Sequence, residues 1–259
     1  MFIEERHQKI LELIQAQGRV EVGDLSKSFR ISEDSIRRDL RLMEEKGLLT
    51  RTYGGAILPE QVSLALSYRE RQEINIEVKT AIAKLAVAAI QNHDTILMDG
   101  SSTVAEMVPF LNRISGLTII TNSVAIAHDV LHFASGCRLI MIGGTVDPDS
   151  FNTISIESMK TIQALTVDKT FTGACSISPE WGLSTTTLDE AVVKRAMMEA
   201  AKEVYILAES SKFGHRSLAN VGPLKPQYHL ITDKKTTGIQ PLLQQLVSQG
   251  MQIITADFE

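Results

Sequence analysis

The apolar residues of this chain follow two different patterns, and the change falls near residue 76. In the front part, apolar side chains recur every three or four residues, which is typical of amphipathic helices. Ile10, Leu13 and Ile14 form one such stripe, and Ile36, Leu40 and Met43 form another. The pattern predicts helices over residues 3–17, 22–29 and 33–46.

Beyond residue 76, short continuous apolar runs alternate with longer amphipathic segments. The runs predict strands over 95–98, 117–121, 138–142, 167–172, 204–208, 229–232 and 252–255. The segments predict helices over 77–91, 102–112, 123–134, 154–164, 188–201 and 240–249. Strands that alternate with helices in this way indicate a mostly parallel sheet with both faces covered. The chain is therefore predicted to be α/β, with an N-terminal all-α winged helix-turn-helix domain (1–58), a linker (59–76) and a larger α/β domain (77–259).

The second and third predicted helices are separated only by Arg30, Ile31 and Ser32. Ser32 is a good N-cap, and the two acidic residues that follow it suit the positive end of a helix dipole. Two short helices joined by a tight turn, with arginines near the start of the second, are typical of helix-turn-helix DNA binding. The arginines on the faces left by the apolar stripe are Arg37, Arg38 and Arg41.

A candidate wing follows the third helix, where residues 48–53 alternate like a strand before Gly54 and Gly55. Such a hairpin would carry Arg51 and Tyr53 to the phosphate backbone. Arginine-rich helices are usually just solvated, so the order of elements in one short block is what favours double-stranded DNA as a partner. The predicted DNA-contacting residues are Ser32, Ser35, Arg37, Arg38, Arg41, Arg51 and Tyr53.

The net charge of −5 is unusual for a DNA-binding protein until it is divided between the two parts. Residues 1–58 carry ten basic and ten acidic side chains, so the rest of the chain accounts for the whole surplus. Between Lys27 and Arg51 the balance is seven basic to five acidic. So small a local surplus predicts modest affinity for one domain, and therefore a homo-oligomer, a dimer or tetramer, in the specific complex.

The composition also bears on the cellular compartment. No apolar run approaches the ~18 residues of a membrane span, and the N-terminus lacks the apolar core of a signal peptide. Cys137 and Cys175 have no metal or redox spacing, so two reduced thiols are expected. We expect a cytoplasmic protein with no membrane partner.

Small and polar residues follow several predicted strands. In open α/β sheets, ligands bind beyond the carboxyl ends of the strands, and free amides at a helix start favour anions. An ordinary strand-to-helix turn could explain one such segment, but several in succession predict a shared crevice that binds phosphate. Lys212 could neutralise an anion there, or it could be a solvated loop lysine. The candidate residues are Asp99, Gly100, Ser101, Ser102, Thr103, Thr121, Asn122, Ser123, Gly143, Gly144 and Lys212.

Taken together, these motifs resemble the DeoR family of bacterial transcriptional regulators. The front signature includes Ile36-Arg37-Arg38-Asp39-Leu40, Glu44, Gly47 and Gly54-Gly55-Ala56. The later blocks are DGSST (99–103), TNS (121–123), GG (143–144), FTGA (171–174), VKRAMM (193–198), SSKFG (210–214) and ITD (231–233). The resemblance implies a regulator, most often a repressor, of a sugar or polyol operon, controlled by a phosphorylated sugar or polyol. It also implies an effector domain similar in fold to ribose-5-phosphate isomerase.

By this resemblance, Ser101, Ser102 and Thr103 would hold the phosphate, with Asp99, Asn122 and Lys212 on the sugar. The chain departs from the family pattern at three positions. Ser35 stands where threonine is more common and keeps the hydroxyl. Cys175 replaces an aspartate after the FTGA block, and Glu209 replaces an aspartate before the SSK block, so both bear on which effector is recognised.

Two other interpretations remain open at this point. A sugar-phosphate isomerase would need a positioned base and an electrophile, but Cys175 stands where the isomerase pattern has its aspartate, so no catalytic residue is predicted. His128 and His132 have the spacing of a zinc-protease helix but no third ligand, so no metal or cofactor is predicted either. Trp181 could be a lid over the crevice or a hydrophobic plug.

Overall fold

The structure, a computed structural model, describes residues 3–17, 19–45, 48–57, 67–234 and 239–257. The chain divides into two compact units, residues 1–74 and residues 75–259. Of the predicted linker, residues 59–66 lie outside the described residues, and the remainder contains a short helix, α4 (Tyr68–Glu73). Among the described residues, no helix combines the length and apolar character that crossing a membrane requires.

The first unit contains the three predicted helices and a small sheet. The helices are α1 (Ile3–Gln17), α2 (Val22–Phe29) and α3 (Glu33–Glu45), and the strands are β1 (Arg19–Glu21), β2 (Thr50–Thr52) and β3 (Gly55–Ile57). Antiparallel pairing in the order β1-β3-β2 confirms the predicted hairpin and adds β1, which was not predicted. Lys46, the predicted end of the third helix, lies outside the described residues.

The apolar stripes predicted for this unit form its core. Ile10, Ile14, Ile36, Leu40 and Met43 are all fully buried in one cluster. The wing is held close to this core by a glycine, because a Cβ at Gly55 would lie 1.7 Å from the carbonyl oxygen of Val20. Only glycine permits strand β3 to approach β1 this closely.

The turn between α2 and α3 is built from local hydrogen bonds. Arg30 adopts a left-handed conformation (φ 54°) as the C-cap of α2. The Ser26 hydroxyl donates to the carbonyl oxygen of Ile31 (2.7 Å). At the start of α3 the Ser35 amide donates to the Ser32 hydroxyl (3.3 Å), which confirms Ser32 as an N-cap. These bonds fix the angle at which α3 leaves the turn.

A buried carboxylate ties α3 to α1. The Arg6 guanidinium donates to both oxygens of Asp39, through Nε (2.6 Å) and Nη2 (3.0 Å), and His7 Nε2 lies 3.4 Å from the same carboxylate. The hydrogen bond to Asp39 raises the pKa of Arg6 above its usual value, against the opposing effect of burial. Asp39 is 3% exposed, so the pair orients α3 in an interior where an unpaired charge would be costly.

The second unit is organised around a seven-stranded parallel sheet. Its strands are β4 (Thr95–Met98), β5 (Thr118–Thr121), β6 (Arg138–Met141), β9 (Val167–Gly173), β12 (Ala201–Leu207), β14 (His229–Asp233) and β15 (Gln252–Ala256). They pair in the order β15-β14-β12-β9-β4-β5-β6, and every pairing is parallel. All seven predicted strands are therefore confirmed, with bounds that shift by a few residues.

The described part of the second unit also contains six α-helices, most of them in the segments between the strands of the main sheet. They are α5 (Ile76–Val87), α6 (Ser102–Ala105), α7 (Val124–Phe133), α8 (Ile156–Gln163), α9 (Leu188–Glu199) and α10 (Gln240–Ser248). The continuous helix predicted over 102–112 is wrong: α6 ends at Ala105, and a separate 3₁₀ helix covers Val108–Arg113. Pro109 explains the break, because it has no N–H to donate to the carbonyl oxygen of Ala105, four residues earlier.

Two further sheets were not predicted. A three-stranded antiparallel sheet joins β10 (Ser176–Ser178), β11 (Gly182–Thr185) and β13 (Ala219–Gly222) in that order. A two-stranded hairpin joins β7 (Val146–Asp147) to β8 (Asn152–Thr153). These strands are short and rich in serine, threonine and glycine, so they lack the apolar runs that mark the main sheet.

The Asp39 pair generates a testable prediction for the first unit. Asp39→Ala leaves the partly buried Arg6 guanidinium without the carboxylate that accepts its two hydrogen bonds, so we expect a loss of about 2 kcal/mol in the free energy of unfolding. Chemical denaturation followed by circular dichroism measures this loss.

Glu33→Ala is the matched control, because it removes another carboxylate from α3. Its exposed pair with Arg37 (3.0 Å) should contribute no more than about 0.5 kcal/mol. Equal stability losses in the two variants would contradict the structural role assigned to Asp39.

Candidate functional site

The exposed face of α3 carries the predicted DNA-contacting arginines. Arg37, Arg38 and Arg41 are all exposed, on the faces that the apolar stripe leaves free. Arg37 is paired with Glu33 one turn earlier, at 3.0 Å. Within the part of the chain that the structure describes, Arg38 and Arg41 form no salt bridge. Their charge is therefore available to an external anion.

The wing presents Tyr53 and holds Arg51. Tyr53 lies in the turn between β2 and β3 and is 92% exposed. Arg51 donates from Nε to Glu44 (2.7 Å), and its backbone amide also donates to that carboxylate (2.8 Å). Arg51 thus joins the wing to α3, a role that the sequence analysis did not predict. Direct contact of Arg51 with DNA stays a prediction.

A polar cleft lies in the second unit, where β4 and β5 end. Asp99 and Gly100 follow β4, Asn122 follows β5, and Asn152 comes from β8. Helix α9 contributes the rest of the polar wall, Glu190 and Lys194, and the apolar lining is Ile154, Val193 and Met197. The cavity at its base is small, with a volume of about 10 Å³. A crevice at the carboxyl ends of parallel strands is where this class of sheet binds ligands.

A buried ion pair forms one side of the cleft. The Lys194 ammonium donates to Asp99 Oδ2 through a short hydrogen bond and to the carbonyl oxygen of Gly173 at 3.3 Å. Asp99 also accepts from the Thr172 hydroxyl (2.6 Å) and from the amides of Gly173 and Ser101 (both 3.0 Å). Four donors therefore meet the Asp99 carboxylate, and additional hydrogen bonds of this kind are the condition under which a buried ion pair is tolerated.

The protonation state of Lys194 follows from this environment. Burial lowers its pKa, but the negative charges of Asp99 and Glu190 outweigh burial, so the net pKa is raised. Glu190 Oε1 lies 3.6 Å from the ammonium. Since the folded-state pKa is raised, the stability linked to the protonation of Lys194 is fully present below the ordinary lysine value of about 10.4 and is lost only as the pH rises above it.

Two buried side chains in the cleft wall have an oxygen without a partner. Among the described residues, Asn122 Oδ1 and Asn152 Oδ1 accept no hydrogen bond, although both residues are more than nine-tenths buried. The Asn122 amide nitrogen donates to the carbonyl oxygen of Thr153 (3.0 Å). The Asn152 amide packs directly over Gly100, where an added Cβ would lie 1.7 Å from Asn152 Oδ1. Unpartnered buried acceptors are uncommon in folded proteins and call for an explanation.

Of the eleven predicted effector residues, Asp99, Gly100 and Asn122 line this cleft. Several of the others have structural partners: the Ser101 and Ser123 hydroxyls cap α6 and α7, and the Thr121 hydroxyl donates to the carbonyl oxygen of Met98. The predicted residues outside the lining of the cleft are Ser101, Ser102, Thr103, Thr121, Ser123, Gly143, Gly144 and Lys212.

The two departures from the family pattern also have defined positions. Glu209 is buried and accepts a hydrogen bond from the Asn75 amide nitrogen (2.6 Å), and it does not line the cleft. Cys175 Sγ lies 3.4 Å from the Thr185 hydroxyl. The charge of a Cys175 thiolate would raise the pKa of Lys194, so this thiol lies within electrostatic range of the cleft.

Sequence reasoning missed three polar residues of the cleft, Lys194, Glu190 and Asn152, as well as its apolar lining. The sequence contained a signal for Lys194 and Glu190. Positions 190, 193, 194 and 197 recur at helical spacing, so they share one face of a helix, and that face combines two oppositely charged residues with the apolar Val193 and Met197. A lysine on the apolar side of a helix suggests a buried partner. Asn152 follows a segment without periodicity, and nothing in the sequence marks it.

The structure also shows where the two histidines considered as zinc ligands and the tryptophan considered as a lid are located. The His128 and His132 rings lie 4.3 Å apart on α7, and no group of three metal-ligating side chains occurs among the described residues. Trp181, at the turn before β11, is 41% exposed and lies beside Arg216, whose guanidinium carbon is 5.8 Å from the ring centre. It does not line the cleft.

The comparisons with known proteins agree for both units. Residues 6–62 match the DeoR-like helix-turn-helix domain, and residues 74–234 match the DeoR C terminal sensor domain. A DNA-reading unit followed by a sensor unit defines a ligand-responsive transcriptional regulator. The chain belongs to the DeoR family of such regulators.

Relatives of similar length support this assignment. The HTH-type transcriptional repressor GlcR of Bacillus subtilis is 33% identical over 90% of this chain and 90% of its own. The glycerol-3-phosphate regulon repressor of Escherichia coli is 29% identical over 88% and 90%. A ribose-5-phosphate isomerase bound to phospho-erythronic acid is 16% identical over 53% of this chain and 54% of its own, with a TM-score of 0.40. A structural likeness at that level carries no functional argument.

Proposed function

We propose that this protein is a repressor of a sugar or polyol operon that leaves its operator when a phosphorylated sugar or polyol binds the sensor unit. The observation that carries the proposal is the cleft beside Asp99 and Lys194, a buried polar site in the unit that follows a winged helix-turn-helix. Names of relatives, including a glycerol-3-phosphate regulon repressor, support the same class of effector.

On the DNA side, α3 enters the major groove and the wing lies along the phosphate backbone. Arg38 and Arg41 offer charge that no described side chain neutralises, and Tyr53 projects from the wing. The Asp39 pair behind α3 holds it at a fixed angle. Because one domain carries only a small basic surplus, we infer that two copies act together on paired half-sites.

On the effector side, we expect the phosphate to bind at the start of α6. The amides of Ser102 and Thr103 are in the first turn of a helix and so lack intrahelical acceptors. They directly follow Gly100, which lines the cleft, so an anion bound there would lie beside the cleft. Lys212, on the 3₁₀ helix Ser210–Lys212, stays a candidate for long-range neutralisation of that charge.

Catalysis is not part of the proposal. An aldose–ketose isomerase needs a carboxylate free to take a proton, whereas the Asp99 oxygens already accept from four donors. Binding alone therefore produces the response. An effector that weakens DNA binding must, by linkage, bind less well to the DNA-bound form.

The DNA side predicts a specific loss on Arg38→Ala. Removing a phosphate or base contact should weaken binding to a duplex from the protein's own upstream region by about tenfold or more and reduce the salt slope by about one. Fluorescence anisotropy titrations at several salt concentrations measure both quantities.

Arg138→Ala is the control, since it removes an exposed arginine from the sensor unit. It should bind DNA like the wild type. If Arg38→Ala kept the wild-type affinity and salt slope, the proposed docking of α3 would be refuted.

The effector side predicts that a phosphorylated sugar or polyol stabilises the protein. A thermal-shift panel of glycerol 3-phosphate, D-fructose 6-phosphate, D-glucose 6-phosphate, D-glucitol 6-phosphate and ribose 5-phosphate should contain a compound that raises Tm, because a ligand of the native state opposes unfolding. The same compound should weaken operator binding.

Two results would overturn this part of the proposal. One is a panel in which no compound changes either Tm or operator binding. The other is turnover of ribose 5-phosphate to its isomer, which would favour the enzyme alternative.

A further inference from the structure

We propose that the β6 edge, the open side of strand β6 (Arg138–Met141), pairs with the same strand of a second copy of this chain. The pairing is antiparallel and has its two-fold axis at Ile140, so it joins the main sheets of the two copies. The edge is a feature of the sensor unit alone. The choice of a second copy as its occupant rests on the proposed function, in which two copies act together on paired half-sites.

The backbone groups of β6 are the first step. β6 is the last strand on its side of the main sheet, and among the described residues it pairs only with β5. The amides of Arg138 and Ile142 donate to carbonyl oxygens of β5, at 2.9 and 2.8 Å. Because backbone groups alternate in direction along a strand, those of Leu139 and Met141 point away from β5. They form a row of donors and acceptors that another strand can bind.

The side chains of the β6 edge are the second step. Ile140 and Met141 are 38% and 41% exposed. No charged residue occurs between Arg138 and Asp147. The exposed apolar residues on two neighbouring elements are Leu131 and Phe133 of α7, which packs beside β6, and Val146 of β7. Exposed apolar side chains on an open strand indicate a surface that another chain covers.

The opposite edge of the same sheet provides a comparison. β15 is the last strand on that side, and its exposed residues are the polar Gln252 and Thr255. An ion pair between Lys234 and Asp257 lies at its end. Polar and charged side chains of this kind disfavour edge pairing. Apart from Arg138 at its start, the β6 edge has none of these features within the described part of the chain, so we expect the partner at β6 and not at β15.

Symmetry decides which partner fits the edge. An antiparallel pair centred on Ile140 sets Leu139 opposite the partner's Met141, so each copy donates two backbone hydrogen bonds and accepts two. The two Ile140 side chains lie opposite each other, and apolar cross-strand pairs stabilise a sheet. The two Arg138 residues are at opposite ends, about 14 Å apart along the strands, which exceeds the ~8 Å screening length at physiological salt. The edge is therefore self-complementary, as a two-fold interface requires.

Met141→Pro tests the backbone part of the inference. Because the Met141 amide points away from β5, proline removes the donor offered to the second copy and keeps the pairing with β5. Sedimentation equilibrium of the full chain should show self-association of the wild type. The dissociation constant of the variant should be about a hundredfold higher or more, since the change occurs on both strands of the pair.

Thr255→Pro is the matched control, because it places the same residue on the opposite edge. The Lys234 amide donates to the carbonyl oxygen of Ala256 (3.2 Å), so Ala256 faces β14 and the amide of Thr255 points away from the sheet. This variant should associate like the wild type. Equal weakening by Thr255→Pro and Met141→Pro would overturn the assignment of the interface to β6.

Ile140→Lys tests the side chains and leaves every backbone group in place. It sets two ammonium groups opposite each other at the centre of the pair, so it should also raise the dissociation constant about a hundredfold or more. The far-UV circular dichroism of Ile140→Lys and Met141→Pro should match that of the wild type, since neither change removes a bond between β6 and β5. Should Met141→Pro not fold, Ile140→Lys decides by the same criteria.

The outcomes separate this inference from the proposed function. A wild type that stays monomeric at concentrations that saturate the operator overturns the inference and leaves the proposed function standing. Self-association that neither Met141→Pro nor Ile140→Lys weakens has the same consequence, because the interface then lies elsewhere. If both variants weaken self-association of a protein that binds neither operator nor any sugar phosphate, the inference is supported and the proposed function fails.

Discussion

The ion pair between Asp99 and Lys194 is the interaction on which the sensor unit depends. It joins the end of β4 to α9, and through Thr172 and Gly173 it also fixes the end of β9. A carboxylate this deeply buried is acceptable only because four donors meet it. The same four donors bring two strand ends and a helix to one place, and that place is the wall of the cleft.

The first unit also contains a buried carboxylate that is paired with a cation, and there the pair orients a helix. Asp39 on α3 is buried, and its carboxylate accepts hydrogen bonds from Nε and Nη2 of Arg6 on α1. Its neighbours in sequence, Arg37 and Arg38, point outward. One turn of α3 therefore contains both the residue that orients the helix and the residues proposed to contact DNA. In each unit, a buried carboxylate fixes the backbone that presents the functional side chains.

Much of the fold could be predicted from the sequence, since the main sheet consists of short apolar runs, which are buried in its central strands. The position of the cleft followed from a rule about strand ends, which is why Asp99 and Asn122 were identified. Lys194 was not, because its partner lies on another strand far away in sequence and only the tertiary fold brings them together. Asn152 belongs to a hairpin of two-residue strands that has no periodic signal. Arg51 was expected to face DNA, and its bond to Glu44 depends on how the wing packs.

The most direct test of this account is the calorimetric unfolding of Lys194→Met with and without a sugar phosphate that stabilises the wild type. The variant leaves Asp99 buried without its cation, at a cost of about 3 kcal/mol. We therefore expect the transition of the sensor unit to fall by about 6–12 °C, and the sugar phosphate no longer to raise it. A transition at the wild-type temperature that still rises with the sugar phosphate would contradict the account.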